Sequence, residues 1–384
     1  MFYISVLYKK GICNMRITHI CNNYVSSRVH MELISSMCKK DYIKQLIYIP
    51  IRRSQDYNVN SFRSDNVVFE YFNYRFNFFR FFPIFKIFLV FFGFLLKKGW
   101  RNCDLIIAHN FWSDGMVAFL NSLIFKTPYV LVLRNTDINI FIPRLKHYHW
   151  LMKILIKRSE GLIFVNKKYM SDFETKYPHL YCMSDNINFI CNGVNRFWLE
   201  NSGGFLNNSR SDTLIFVGAF NENKNIKFII SAVENCLKRN PELKLILVGG
   251  DESDLKKILK NKQIPGFVTV CGRINDLVVL KELYQKSKIF IMPSYFETFG
   301  LVYIEALMQG CSVIHSKGQG IDGIFDEDFI KAVDPYDLNE ISNAIEYLIA
   351  NFERKSNDTK FYQNLNSSFN WDKIADQYIR VCKK

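Results

Sequence analysis

Short apolar runs alternate with amphipathic segments along almost the whole chain. In the first half these runs lie at residues 16–21, 46–51, 67–71, 105–108, 129–133, 162–165 and 189–191, and in the second half at 214–217, 243–248, 268–270, 289–292, 312–315 and 332–333. Runs of this length are typical of parallel strands that are buried on both faces. Helical spacing between them, for example over 27–39, 114–125, 144–158 and 300–309, completes a βαβ pattern and predicts an α/β fold of doubly wound parallel sheets.

Turn-forming residues interrupt this alternation once, near the middle of the chain. Glycine, asparagine and serine cluster at 192–194 and 201–204, which predicts a boundary between a domain of residues 15–195 and a domain of residues 196–365. Residues 366–384 are expected to form a final helix. Residues 1–14 lack the apolar core of a signal peptide and precede a natural first strand, so we expect an extra or disordered N-terminus and translation from Met15.

The composition adds a strong positive charge. Lysine and arginine number 50 against 36 aspartate and glutamate, a net charge of +14, which favours nucleic acid, an anionic membrane or a phosphorylated substrate as partner. No nucleic-acid-binding motif occurs, so nucleic acid is not expected. The ten cysteines show no C-x-x-C pair and no ligand spacing, which indicates reduced thiols in a cytoplasmic protein.

Residues 72–98 form a phenylalanine-rich segment with two open interpretations. Its longest uncharged run, 87–96, is about half of the ~20 residues that a transmembrane helix requires. One interpretation is a core helix of the first domain that begins near Pro83. The other is a helix that lies on an anionic membrane, with its basic residues at the lipid headgroups. Those basic residues are Arg75, Arg80, Lys86, Lys97 and Lys98.

Two carboxylates with seven residues between them, Glu297 and Glu305, flank a predicted helix start in the second half. Thr298 is the predicted cap and Gly310 the residue after the helix end, and the first backbone N–H groups of the helix are free. Those groups and the helix dipole favour an anion, while the two carboxylates can accept hydrogen bonds from sugar hydroxyls. Two glutamates at one spacing also arise by chance, as a loop charge and a polar helix face, so the surrounding motif decides.

That motif, P-S-Y-F-E-T-F-G-L-V-Y-I-E-A-L-M-Q-G from residue 293, resembles the signature of the retaining GT-B glycosyltransferases of family 4. Asn-Gly-Val at 192–194 is similar to the link between the domains of that family. The resemblance implies two Rossmann-like domains facing a cleft, with the acceptor bound by residues 15–195 and the nucleotide-sugar by residues 196–365. It also implies that the C-terminal helix crosses back to the first domain, and that no covalent nucleophile is required.

The resemblance assigns roles to residues of the donor site. Lys224, in a segment similar to the family's G-R-x-x-x-x-K pattern, would neutralise the donor diphosphate, although Ala219 replaces the arginine and Arg273 is the candidate substitute. Glu297 would hold the donor sugar and Glu305 the ribose. The other donor-binding candidates are Gly218, Ser294, Thr298, Phe299, Gly300 and Leu301.

The acceptor candidates follow strands of the first domain, where ligands of such sheets bind. His109 follows the strand 105–108 and is the third catalytic candidate, beside Glu297 and Lys224. Arg134 stands where the family often has the histidine of His-Gly-x-Asp, with Asp137 in register. As a permanent cation, Arg134 is expected to bind a phosphate or carboxylate, for example of the acceptor. Asn22 completes this set, in a first turn that lacks the family's glycines.

Together these features predict a retaining glycosyltransferase of bacterial surface-polysaccharide assembly, cytoplasmic and peripheral at the inner face of the cell membrane. It would move a sugar from a nucleotide-sugar, UDP-linked rather than GDP-linked, to a hydroxyl of a glycan or polyprenyl-linked acceptor. The nucleotide-sugar is a co-substrate, and no cofactor or metal is predicted. The D-x-D sequence at 326–328 is interpreted as a surface turn.

Two alternatives stay open. A non-catalytic nucleotide-sugar-binding subunit of a glycosyltransferase complex is favoured by the departures at Ala219 and Arg134. A GT-B nucleotide-sugar epimerase would need a second pair of carboxylates, and the first domain shows no clear pair.

Overall fold

A computed structural model describes residues 15–74, 83–97, 103–203, 210–352 and 359–381. The chain forms two compact units. The first unit comprises Met1–Gly193 and Trp371–Lys384, and the second comprises Val194–Asn370. The expectations for the N-terminus and for Arg75, Arg80 and Lys98 lie outside the described residues.

The first unit is built on a seven-stranded parallel sheet in the order β3-β2-β1-β4-β5-β6-β7. The chain winds outward in both directions from β1 and β4, so the ends of these two strands form the topological switch point at which ligands of such sheets bind. The strands are β1 (Met15–Ile20), β2 (Ile43–Ile51), β3 (Val67–Asn73), β4 (Leu105–Ala108), β5 (Tyr129–Leu133), β6 (Gly161–Phe164) and β7 (Ile187–Phe189).

Helices cover both faces of this sheet. On one face lie Pro83–Leu96, Ser113–Phe125, His149–Lys157, Lys167–Lys176 and Pro178–Tyr181, and on the other Arg28–Cys38 and Trp371–Val381. The expected single helix over 144–158 is wrong. Leu145 leaves the helical region at φ −101° and ψ 38°, so a short turn, Ile142–Arg144, and a 3₁₀ turn, Lys146–Tyr148, precede the helix His149–Lys157.

The C-terminal helix, Trp371–Val381, packs on the helix Arg28–Cys38 of the first unit. Its apolar residues recur at helical spacing and are buried; they are Ile374, Ala375, Tyr378 and Ile379. Two salt bridges border the contact, from Lys39 to Asp372 at 2.7 Å and from Lys40 to Asp376 at 2.5 Å. The expectation that the last helix returns to the first domain is therefore confirmed.

The second unit repeats the architecture with six parallel strands in the order β10-β9-β8-β11-β12-β13. The strands are β8 (Ser211–Val217), β9 (Lys244–Val248), β10 (Val268–Val270), β11 (Ser287–Met292), β12 (Ser312–Ser316) and β13 (Ile330–Val333). The helices are Arg196–Glu200, Ile226–Cys236, Glu252–Ile258, Leu277–Lys286, Leu301–Met308, Leu338–Ala350 and Thr359–Ser368. The switch point of this sheet lies between β8 and β11.

The phenylalanine-rich helix, Pro83–Leu96, is a core helix on one side and exposes apolar side chains on the other. One side is buried in the core of the first unit and comprises Ile87, Val90, Phe91 and Phe94. The other side presents Phe85, Phe88, Phe92 and Leu96, which are 57%, 47%, 61% and 78% exposed. No helix among the described residues has the length and apolar character that crossing a membrane demands.

Candidate functional site

In the second unit, the helix Leu301–Met308 begins at a left-handed glycine. Gly300 is its N-cap at φ 74°, so the prediction that Thr298 is the N-cap is wrong. A Cβ at Gly300 would overlap the Tyr303 ring, whose hydroxyl donates to the Met292 carbonyl at 2.6 Å. Only glycine fits this turn, so no Cβ at position 300 blocks the approach of a ligand to the helix start. Gly310 follows the helix end at φ 81°, as predicted.

Lys224 and Glu297 meet across 73 residues of sequence. The Nζ of Lys224 lies 2.5 Å from a carboxylate oxygen of Glu297, and the two side chains are 18% and 15% exposed. Asn223 brings the two loops together, because its amide pairs with both the N–H and the carbonyl of Phe296 at 3.0 and 2.9 Å. Lys224 ends the 3₁₀ turn Glu222–Lys224, and the left-handed Asn225, at φ 57°, separates it from the helix Ile226–Cys236.

A glycine-rich turn holds Glu297 from its other side. The N–H of Gly320 donates to the Glu297 carbonyl at 3.1 Å, and the N–H of Glu297 donates to the side chain of Gln319 at 3.0 Å. The glycine-rich stretch 318–323 indicated this turn in the sequence, whereas nothing local marked Gln319. The second unit thus brings Lys224, Glu297, the helix start and this turn to one place.

Glycines also close the carboxyl ends of β8, β9 and β10. Gly249 has φ 120°, and a Cβ there would overlap the carbonyl oxygen of Gly218. The N–H of Gly249 donates to the carbonyl of Gly272 at 2.7 Å. The ends of β8 and β9 therefore approach each other more closely than a side chain at position 249 would allow. Arg273 follows Gly272 and has an exposed side chain.

Glu305 lies farther along the helix in a desolvated environment. Burial raises the pKa of its carboxyl group to about 7, while a hydrogen bond with Trp198 acts in the opposite direction. Trp198 is 1% exposed on the short helix Arg196–Glu200 and was missed in the sequence, because five residues carry no helical periodicity. Two other donor candidates, Ser294 and Phe299, are buried at 0% and 2% exposure.

In the first unit, His109 lies in a buried relay at the switch point. The Nε2 of His19 lies 3.1 Å from Oε1 of Gln45, and the Gln45 amide nitrogen donates to the Ile34 carbonyl at 3.1 Å. Oε1 of Gln45 is thus an acceptor, so His19 carries its proton on Nε2 and accepts on Nδ1. The Nδ1 of His19 lies 2.9 Å from Nε2 of His109, which must donate.

Because the proton of His109 lies on Nε2, its Nδ1 is an unprotonated hydrogen-bond acceptor. That nitrogen has no hydrogen-bond partner among the described residues, and the ring is fully buried. Burial lowers the pKa of His109 well below its ordinary value, and the neighbours His30, His19 and Arg134 add to this effect. His109 is therefore a neutral histidine, and its Nδ1 lone pair has no partner among the described residues.

Arg134 begins the turn after β5 and is partly exposed. Its Nε donates to the His109 carbonyl at 3.0 Å, and its Nη2 lies 3.5 Å from Nδ1 of His30. Asp137 accepts hydrogen bonds from the backbone N–H groups of Phe111, Trp112 and Arg134 at 3.1 to 3.3 Å. Asp137 is completely buried, and burial raises its pKa to about 7.

Asn22 is engaged by the protein itself. Its side-chain amide and its backbone N–H both donate to Asp114, which is completely buried. Burial raises the pKa of Asp114 to about 6, against the effect of these hydrogen bonds. The first turn, which lacks glycines, is therefore fastened to the helix Ser113–Phe125. Among the described residues, no three His, Cys, Asp or Glu side chains are grouped to hold a metal ion.

Comparison with known proteins agrees with this architecture. Residues 200–364 match the family model of glycosyl transferases group 1. An uncharacterized glycosyltransferase of Methanocaldococcus jannaschii is 25% identical over 304 residues, which cover 73% of this chain and 75% of that protein.

Solved structures share the fold along nearly the whole chain. Sucrose-phosphate synthase from Thermosynechococcus elongatus matches with a TM-score of 0.68 at 19% identity, covering 96% of this chain and 98% of that one. The Anabaena protein HepE, in complex with UDP and glucose, matches with a TM-score of 0.65 at 14% identity, covering 96% and 99%. The predicted fold class, two Rossmann-like domains of the GT-B type, is confirmed.

Proposed function

We propose that the protein is a retaining glycosyltransferase that uses a UDP-sugar. The match of residues 200–364 to the family model of glycosyl transferases group 1 supports this proposal. The observation that carries this proposal is the Lys224–Glu297 pair beside the helix start at Gly300. UDP as the donor nucleotide is supported by HepE, a structural neighbour that contains UDP and glucose. The second unit would bind the donor and the first unit the acceptor.

The charges at the donor site suit a leaving diphosphate. Lys224 is neutralised by Glu297 in the free protein, at 2.5 Å. A diphosphate at the open helix start would compete for the same ammonium group, and Glu297 would then turn its oxygens to hydroxyls of the donor sugar. Binding the donor therefore exchanges the Lys224–Glu297 ion pair for one between Lys224 and the diphosphate, while sugar hydroxyls donate hydrogen bonds to the Glu297 carboxylate.

The reaction itself requires little of the protein beyond position and charge. As the bond from the anomeric carbon to the diphosphate breaks, Lys224 and the helix start stabilise the growing negative charge. The leaving phosphate takes the proton of the acceptor hydroxyl, and the new bond forms on the same face of the sugar. Ala219 leaves the site one cation short of the family pattern, so Lys224 bears more of this charge.

The proposal is tested by thermal unfolding with UDP, GDP and CMP. A nucleotide at ~100 times its Kd stabilises by about 2.7 kcal/mol. We expect UDP to raise the midpoint of the wild type and of Glu282→Ala, a control at an exposed glutamate of the same unit. Lys224→Met and Glu305→Ala should reduce the effect. If no nucleotide stabilises any form, the second unit does not bind the donor and the proposed function is wrong.

Product analysis then separates an enzyme from a binding subunit. UDP release from a UDP-sugar, dependent on an acceptor and on Lys224, supports transfer, and an α-linked product from an α-linked donor supports retention. Conversion of the donor to its epimer without an acceptor would support the epimerase alternative instead.

We also propose that the first unit docks on the anionic inner face of the cell membrane, where surface polysaccharides are assembled on lipid-linked acceptors. The exposed stripe of the phenylalanine-rich helix supports this proposal, as does the neighbouring helix Ser113–Phe125, whose Leu123 and Ile124 are 45% and 57% exposed. Lys86, Lys97 and Lys126 lie on or beside the two helices. Apolar side chains edged by lysines suit the interface of an anionic bilayer.

A further inference from the structure

Arg134 is a cation held in place by neutral groups. The carbonyl of His109 accepts from its Nε at 3.0 Å, and Nδ1 of His30 lies 3.5 Å from its Nη2. Both histidines are buried, and burial lowers the pKa of each well below its ordinary value, so neither carries charge near neutral pH. Among the described residues, the contacts of this guanidinium group include no carboxylate.

The carboxylates of the same strand edge are engaged elsewhere. Asp137 accepts the backbone N–H of Arg134 rather than its side chain, together with two further backbone N–H groups. Asp114 is bound by Asn22, Asn110 and Ser113. The two guanidinium nitrogens beyond Nε thus keep hydrogen atoms that an anion with two acceptor oxygens can accept.

The position of Arg134 favours a ligand as that acceptor. It follows β5, next to the switch point between β1 and β4, on the sheet edge where ligands of this fold bind. His30 is the third residue of the helix Arg28–Cys38, so the guanidinium group lies against the first turn of an 11-residue helix. The positive end of that helix dipole adds to the attraction for an anion.

We propose that Arg134 binds a phosphate group of the acceptor, so that the enzyme acts on phosphorylated rather than neutral acceptors. That the bound phosphate belongs to a glycosyl acceptor rests on the proposed function, but the anion site itself lies wholly in the first unit. A phosphate ester of a soluble sugar and the diphosphate of a lipid carrier present the same chemistry to the guanidinium group. His30 and the His109 carbonyl position Arg134, and the phosphate supplies the missing negative charge.

Paired probes test the proposal and identify the source of the phosphate. Binding of glucose 6-phosphate is compared with glucose, and farnesyl diphosphate with farnesol, by calorimetry in the presence of excess UDP. The same measurements in a Lys224→Met background remove phosphate binding at the donor site. Arg134→Gln is the test variant, and Arg158→Gln, at an exposed arginine of the same unit, is the matched control for charge.

We expect one phosphorylated probe to bind at least tenfold more tightly than its neutral partner, and the pair that shows this preference names the source. Arg134→Gln should abolish the preference, Arg134→Lys should retain part of it, and Arg158→Gln should retain all of it. Equal binding of phosphorylated and neutral probes by the wild type overturns the inference, as does a preference that survives Arg134→Gln.

Failure of the inference is distinguishable from failure of the proposed function. If UDP does not bind but an Arg134-dependent phosphate preference remains in the Lys224→Met background, the anion site is supported and the donor site is contradicted. If UDP binds and no phosphate preference exists, the donor site is supported and the anion site is contradicted. Should Arg134→Gln not fold, Arg134→Lys carries the test, because it keeps the charge and loses the planar fork.

Discussion

The carboxyl group of Glu305 makes the stability of the protein depend on pH. Burial raises its pKa from 4.5 to about 7, so the folded protein keeps a proton that the unfolded chain releases. The stabilisation is complete below pH ~4.5 and is lost as the pH rises through about 7. At about 1.4 kcal/mol per pKa unit, the loss is on the order of 3 kcal/mol.

Glu305→Gln should remove this dependence, because glutamine resembles the protonated acid. We expect urea unfolding at pH 5, 6.5 and 8 to show a smaller decline with pH for the variant than for the wild type. Glu282→Gln, at an exposed position, should decline as the wild type does. Parallel pH profiles for wild type and Glu305→Gln would show that the Glu305 carboxyl group titrates normally.

The relay from Gln45 through His19 to His109 predicts specific tautomers. Both histidines should carry their proton on Nε2, and His19 should stay neutral at pH 5 because burial lowers its pKa to about 3. Long-range ¹⁵N–¹H spectra of histidine-labelled protein report the protonated nitrogen. A proton on Nδ1 of His109 would contradict the relay.

Gln45→Met separates the relay from simple packing. Methionine fills a similar volume but offers no strong acceptor to His19, so we expect mixed tautomers at both rings and a loss of about 1–3 kcal/mol of stability. Gln285→Met, which removes a side-chain amide from the second unit, is the control and should leave both histidine spectra unchanged. Unchanged tautomers in Gln45→Met would mean that another group orients His19.

At the scale of elements, the phenylalanine-rich helix predicts membrane binding. The double change Phe88→Glu and Phe92→Glu places two charges on its exposed stripe, and we expect at least a tenfold loss of binding to vesicles that contain anionic lipid. Wild-type binding should weaken in pure phosphatidylcholine and at high salt. Sedimentation with vesicles measures both effects.

The control places the same charges on another exposed apolar stripe. Val278 and Val279 are 48% and 44% exposed on the helix Leu277–Lys286 of the second unit. Their double change to glutamate should leave vesicle binding within about twofold of the wild type. If both pairs reduce binding equally, net charge alone attracts the protein; if neither does, the phenylalanine-rich helix does not dock on lipid.

For the whole molecule, the C-terminal helix links the end of the chain to the core of the first unit. Removing residues 371–384 would expose the surface that Trp371, Ile374, Tyr378 and Ile379 now cover. Loss of a single large core side chain costs about 2–5 kcal/mol, and a whole domain is stable by only about 5–15 kcal/mol. We expect the first unit to unfold and the second to keep its response to UDP.

Hydrogen exchange resolved by peptide distinguishes the two units in the shortened protein. β1 to β6 should lose protection, whereas β8 to β12 should keep it. A control that lacks only residues 382–384 should behave as the full chain does. Equal protection of both units without residues 371–384 would show that the first core is stable without its last helix.

The sequence by itself determined the elements that local pattern encodes. Buried parallel strands appear in the sequence as continuous apolar runs, which predicted the sheets. The backbone conformation requires glycine at 300 and 310, and these glycines marked the helix Leu301–Met308. The spacing of Glu297 and Glu305 was visible in the sequence as well. Even there the detail of the cap was missed. Thr298 is a good capping residue, but the left-handed Gly300, which lies against the Tyr303 ring, is the N-cap instead.

Only the tertiary structure decided which distant residues meet. Lys224 lies against Glu297 because β8 and β11 are neighbours at the switch point, and His19 faces His109 because β1 pairs with β4. Strand order and register join residues 73 and 90 positions apart, and no local periodicity carries that information. The burial of Glu305 beside Trp198 and the neutral surroundings of Arg134 follow from the same packing, because desolvation depends on everything that surrounds a group.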